Sequence, residues 1–233
     1  MVTAGEKFEP VSPSPSTAAV GNTVVIQVGP DKKSYTLHEE LLKFYSGSFR
    51  RALLGDYTGT GHRTIPLNGV DIGVFDAFVD WLYAERLPRD VYMRGPSQEA
   101  STILEGSTNT ETSIPVMWRL YTLAHHLEAK KLKHVILDIA FTHYAEADNT
   151  PTIPLVAYLS NQLPGEDVML RLLGDVLCVN DGIRAWRGAP QGQLENVPKA
   201  FFVRALFKVN SFKDAVEDNE EAALQREDYG LAS

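Results

Sequence analysis

Residues 24–83, VVIQVGPDKKSYTLHEELLKFYSGSFRRALLGDYTGTGHRTIPLNGVDIGVFDAFVDWLY, pass back and forth between strand and helix patterning. Val24, Ile26 and Val28 alternate with Val25 and Gln27, as the buried side of a strand does. Gly29-Pro30-Asp31 then supplies the turn of a β-hairpin into Ser34-Tyr35-Thr36-Leu37. His38-Glu39-Glu40-Leu41-Leu42 reads as a helix start, and Ile65-Pro66-Leu67 as a further short strand. Asp71 is placed to cap the next helix, because its side chain can accept a bond from amides that the first turn leaves exposed. On that helix Val74, Phe75, Phe78, Val79 and Leu82 share one face, and Asp76 and Asp80, one turn apart, look outward.

The order and spacing of these pieces resemble a BTB/POZ domain. Residues 38–42 look like that family's x-His-Lys-x-x-Leu helix start, and Ser46-Gly47-Ser48-Phe49-Arg50-Arg51-Ala52-Leu53 like its Ser-Pro-Tyr-Phe-Arg-x-x-Leu. Trp81-Leu82-Tyr83 is similar to its Trp-Leu-Tyr-Thr-Gly, and Leu120-Tyr121-Thr122-Leu123-Ala124 to its Leu-Tyr-x-Leu-Ala. The likeness spans roughly half the chain and is nearest to the fungal branch. It implies an α+β architecture, the BTB/POZ fold, in which a small β-sheet is capped by a cluster of α-helices and followed by additional helices. With it come the expected boundaries: a disordered tail at 1–21, the BTB/POZ domain at 22–147 with a loop insert at 88–115, a C-terminal helical extension at 148–212 and an acidic tail at 213–233.

The resemblance also implies a function without catalysis. It points to an adaptor or scaffold that binds other proteins: itself, as a homodimer, or a cullin scaffold, for which it would present substrates to a ubiquitin ligase. The alternative is a transcription or chromatin cofactor working through protein partners. The implied contact residues are Asp56, Tyr57 and Thr58. In cullin-binding members a hydrophobic-x-Glu motif stands here; Tyr57-Thr58-Gly59 keeps the apolar residue and lacks the acid. Members with a swapped homodimer carry a helix before the first strand, whereas residues 1–21 are rich in Pro, Ser and Thr and unpatterned.

Composition sets limits on partners and compartment. The 233 residues are 44% hydrophobic, enough for a core without staples. Cys178 stands alone, so no internal disulfide forms, and no Asn-x-Ser/Thr acceptor occurs; an intracellular location, cytoplasmic or nuclear, is expected. No signal-peptide core or membrane-length apolar run is present, which argues against a membrane partner. The net charge of −8 opposes direct nucleic-acid binding, whose affinity comes from clustered cations releasing counterions.

Beyond the resembling block the pattern is helical. Met117, Leu120, Ala124 and Leu127 form one stripe and Leu132, Val135, Ile136, Ile139 and Ala140 a second, joined near Ala129. Met169, Leu172, Leu173, Val176 and Leu177 form a third, and Phe202, Ala205, Leu206 and Val209 a fourth after Pro198. Residues 180–193 read as a Gly-rich loop with Trp186 as its anchor, and the acidic residues from Asp214 onward as a solvated tail or helix face.

No catalytic, cofactor or metal constellation emerges. His125 and His126 are adjacent, so on a helix they diverge by about 100° and are expected at the surface rather than on one ion. His134 and Asp138 lie one turn apart but lack further ligands. Ser46 and Ser48, near His38, are not in a Gly-x-Ser-x-Gly elbow. Gly55, Gly59 and Gly61 follow a helix, the reverse of a phosphate loop, and Lys130, Lys131, Lys133 and His134 read as a solvated basic corner. No small-molecule substrate is implied.

Overall fold

The computed structural model describes residue 13 and residues 20–54, 63–87, 114–146, 149–180, 182–217 and 224–232. Asp56, Tyr57 and Thr58, the glycines at 55, 59 and 61, most of residues 1–21, and residues 88–113 of the expected insert lie outside the described residues. The protein is a mixed α+β chain with a three-stranded sheet and many helices. It divides into two compact units, Met1–Pro88 with His126–Ala129, and Arg89–His125 with Lys130–Ser233.

The first unit holds the sheet. Strands β1 (Thr23–Val28) and β2 (Lys33–His38) pair antiparallel, with Val24 opposite Leu37 and Val28 opposite Lys33. Gly29 turns the hairpin at φ 74°, a left-handed conformation that costs a residue without Cβ little. Strand β3 (Thr64–Leu67) lies parallel to β1, Ile26 beside Ile65, giving the order β2-β1-β3. The alternation read in the sequence is present: Val24, Ile26 and Val28 are fully buried.

Helices α1 (Glu39–Tyr45), α2 (Gly47–Ala52) and α3 (Ile72–Ala84) pack with this sheet. Asp71 caps α3 by accepting from the Val74 N–H at 3.1 Å. The core is a chain of aromatic rings: Phe49, Phe78, Phe75, Trp81 and Tyr45 meet at centroid distances of 5.0–6.4 Å in edge-on or tilted geometry. Asp76 looks outward as expected, and accepts from Tyr35 at 2.7 Å and Lys33 at 3.1 Å.

The Ser46–Phe49 motif anchors the His126–Ala129 turn. The Ser46 hydroxyl accepts from the Phe49 N–H and donates to the Leu127 carbonyl at 2.5 Å; Ser48 donates to His126 O at 2.9 Å. Arg51 grips Glu128 with both guanidinium nitrogens, at 2.5 and 2.6 Å. Any Cβ on Gly47 would meet the Glu128 side chain, so glycine here makes room for the turn.

The second unit is helical: α4 (Val116–His126, in this unit through His125), α5 (Lys130–Glu146), α6 (Ile153–Gln162), α7 (Val168–Val179), α8 (Gly182–Trp186), α9 (Gln191–Leu194) and α10 (Lys199–Glu217). Helix α7 is its centre, with Met169, Leu172, Leu173 and Val176 at zero exposure. Thr152 and Asp167 cap α6 and α7 through the Leu155 and Met169 amides. Residues 180–193, read as a loop, contain α8 and the start of α9. Trp186 is their anchor, buried, donating to Pro151 O at 2.9 Å and stacked on Phe201.

Two expectations change in this unit. The acidic C-terminal stretch ends in a packed 3-10 turn, Arg226–Tyr229, in which Tyr229 and Leu231 are buried. Tyr229 donates to Asp175 at 2.7 Å, Arg226 pairs with Asp138, and Arg171 donates to Asp228 O, so apolar and paired groups within the charge run bring the chain back onto α5 and α7. Helix α10, in turn, buries Phe201 and Ala205 against α7; of the expected face of Phe202, Ala205, Leu206 and Val209, Ala205 is buried, while Phe202 and Leu206 are exposed. The Phe201 ring lies at van der Waals distance, 3.7 Å, from where a Cβ on Gly174 would stand. Among the described residues no helix is long and apolar enough to cross a membrane.

Candidate protein-binding surface

Residues 200–207, AFFVRALF, are apolar at seven of eight positions. A helix buries a face roughly a third of its circumference wide, so this composition leaves apolar groups outside whichever face packs. Val203 is 52% exposed, Leu206 62% and Phe207 70%, a stripe at i, i+3 and i+4 along α10; Phe202 beside it is 36% exposed and sets its ring edge against Trp186. A face of Phe202, Ala205, Leu206 and Val209 turned to the core, as the sequence pattern suggests, leaves no such stripe, but only Ala205 among them is buried. The excess of apolar residues over one helical face was the signal for it.

Beside the stripe, α10 borders a cleft of about 290 Å³ lined by Leu170, Pro198, Ala200 and Phe201 with Ser160, Glu166 and Arg204. The Arg204 guanidinium donates to Glu166 at 3.0 Å, the arginine side chain 28% and the glutamate 93% exposed. The Ser160 hydroxyl is buried and has no hydrogen-bond partner.

A second gathering of polar groups lies around Asp167, whose carboxylate is 4% exposed. It accepts from Tyr121 at 2.7 Å, Lys133 at 2.6 Å and the Met169 N–H at 3.0 Å; the His125 Nδ1 is 3.8 Å away. Burial alone would raise the carboxyl pKa, but the bonds from Lys133, Tyr121 and Met169 overcome it and hold Asp167 below its ordinary value. Burial and the neighbouring carboxylate push the Tyr121 hydroxyl far upward. Proton transfer in catalysis needs a pKa near the working pH, and these groups are driven away from it. The arrangement fastens α4, α5 and the start of α7 together. It also corrects two expectations: Lys133 turns inward from the basic corner, its side chain 22% exposed, and His125 is only partly exposed, while His126, Lys130, Lys131 and His134 are at the surface.

The remaining chemical candidates are occupied locally. Ser46 and Ser48 serve the turn contacts described above, and the His38 Nδ1 meets the Tyr83 hydroxyl at 2.8 Å at the strand-to-helix junction. Asp138 is paired with Arg226. Among the described residues no three His, Cys, Asp or Glu side chains gather as a metal ion would need. The expected contact residues Asp56, Tyr57 and Thr58 lie outside the described residues. No protein-family model matches the chain, and no curated protein matches it.

Proposed function

We propose that the chain is a non-enzymatic protein–protein interaction module, an adaptor or scaffold built on a BTB/POZ fold. The observation that carries the binding reading is the exposed stripe of Val203, Leu206 and Phe207 on α10. Contiguous apolar area on a protein's exterior marks a surface for association, since covering it gains roughly 25 cal/mol per Å² removed from water. Supporting the BTB/POZ part is the element order: a hairpin, two short helices, a strand parallel to the first, then an aromatic helix. Asp56, Tyr57 and Thr58 would contribute a second contact region, and Gly59 in place of the motif acid weighs against a cullin as its occupant.

The test is affinity purification from native cells with the wild-type chain, Leu206→Glu and Tyr57→Ala, followed by rebinding with purified components. Leu206 is exposed, so the charge leaves the fold intact. A partner that rebinds directly to wild type and is lost with either variant supports the reading. Partners that bind all three equally, or none that rebinds directly, overturn it.

A further inference from the structure

We propose that the face of α5 and α7 beneath the Arg226–Tyr229 turn is a docking site for a segment of a partner protein that carries an arginine and, three residues on, a tyrosine, and that the chain's own turn occupies the site until such a segment displaces it. The inference rests on the protein-binding reading and adds a further site to it, with the chemistry of its ligand. The turn is closed by its own bonds: the Leu231 and Gly230 N–H groups donate to Arg226 O and Glu227 O, and Arg226 Nε donates to Ala232 O at 2.6 Å. Gly230 completes it at φ 70°, a conformation that suits glycine. A segment that makes its own shape gives up little freedom on docking, so another chain can supply it as well as this one.

The two helices hold the turn through side chains, as a receptor holds a ligand. The Tyr229 hydroxyl donates to Asp175 at 2.7 Å and its ring meets Phe141 at 5.7 Å. Arg226 pairs with Asp138 and sets its guanidinium 5.3 Å over the same Phe141, while Arg171 donates to Asp228 O. The face thus offers one ring, two acceptors and one donor. None of these residues belongs to the stripes that fix the helices in the unit: Leu132, Ile136 and Ala140 on α5 and Leu172, Leu173 and Val176 on α7 are at zero exposure. The helices therefore keep their core contacts without the turn. Two of its three polar holds also lie at the surface, the Arg226 and Asp138 side chains being 33% and 45% exposed and the Arg171 bond exposed, so water or an incoming segment can replace them one at a time.

A fluorescent peptide of residues 224–232, titrated by anisotropy against the full-length chain and two full-length variants, tests this. Tyr229→Ala removes the anchor of the resident turn and should bind the peptide roughly tenfold more tightly than wild type, whose tethered turn competes at an effective concentration on the order of millimolar. Arg226→Ala, at a partly exposed position, should tighten binding roughly two- to fivefold, the worth of that ion pair. Within the peptide, Tyr229→Phe should weaken binding to the Tyr229→Ala chain roughly tenfold, because the Asp175 carboxylate loses a donor. Arg226→Ala in the peptide should weaken it roughly two- to fivefold, and Asp138→Ala in the receiving chain should erase that effect while leaving the one at Tyr229. Absence of binding to both variants, equal binding to all three chains, or indifference to the tyrosine hydroxyl overturns the proposal. So does a Tyr229→Ala chain without near-ultraviolet circular dichroism, since the turn would then be part of the core. The peptide needs no cellular partner, so its binding stands or falls separately from partner loss in Leu206→Glu.

Discussion

Replacing Asp167 tests whether the Tyr121–Asp167–Lys133 cluster fastens the second unit. In Asp167→Ala the Met169 amide loses its cap, worth about 1 kcal/mol. The Tyr121 hydroxyl, on a fully buried residue, is left without its acceptor, at roughly 1–3 kcal/mol; Lys133, partly exposed, recovers water and adds less. The expected loss is about 3 kcal/mol. Asp167→Asn keeps the cap and an acceptor oxygen but exchanges charge-assisted bonds for neutral ones, costing about 1–1.5 kcal/mol. The pH dependence separates charge from shape. The folded Asp167 carboxyl lies below its ordinary value of 3.8, so its contribution is complete above that value and disappears as pH falls through the folded one. In urea melts followed by tryptophan fluorescence, the gap between wild type and Asp167→Asn should therefore be full at neutral pH and shrink toward zero in acid. A gap that is absent at neutral pH, or unchanged on acidification below 3.8, refutes the argument.

Asp175 should behave with the opposite sign. Its burial raises the carboxyl pKa despite the Tyr229 and Lys208 contacts, so stability falls as pH rises from 3.8 through the folded value; Asp175→Asn, which still accepts from Tyr229, should match or exceed wild type at neutral pH and lose that advantage in acid, read by the same melts. Burial, reinforced by the Asp175 charge, pushes the Cys178 thiol up to about 11. At pH 8 it holds about two hundredfold less thiolate than a free cysteine, so labelling by a chromogenic disulfide should be slow in the native protein and fast in denaturant. Gly47→Ala should lower the melting temperature, because its Cβ would clash with the Glu128 carboxylate, and Glu128→Ala in the same chain should recover part of that loss.

What could be read from the sequence was what neighbouring residues decide among themselves. The β1 alternation, the Gly29 turn and the Asp71 cap each rest on groups within a few positions, and all are present. The inward turn of Lys133 was not legible, because its partner Asp167 stands 34 positions away and a lysine among lysines looks solvated. The C-terminal turn was hidden for a similar reason: Tyr229 and Leu231 are two apolar residues in a charged stretch, and their neighbours on α5 and α7 come from far upstream. Helix α10 was ambiguous in a different sense, since AFFVRALF supplies several acceptable inner faces and nothing within the helix itself chooses among them. The cleft has no sequence signature at all, as Ser160 becomes notable only through the lack of a bond.

The position of Pro66 in β3 bears on how the sheet ends. The carbonyls of Arg63 and Leu67 accept from Val25 and Gly29 on the β1 side, so by alternation the backbone nitrogen of Pro66 faces the opposite way, along the rim of the sheet. Among the described residues β3 ends the sheet, and at Pro66 that rim lacks a donor where a passing strand would require one. A stray extended chain, including another molecule of this protein caught half-folded, finds no continuous ladder to climb along β3.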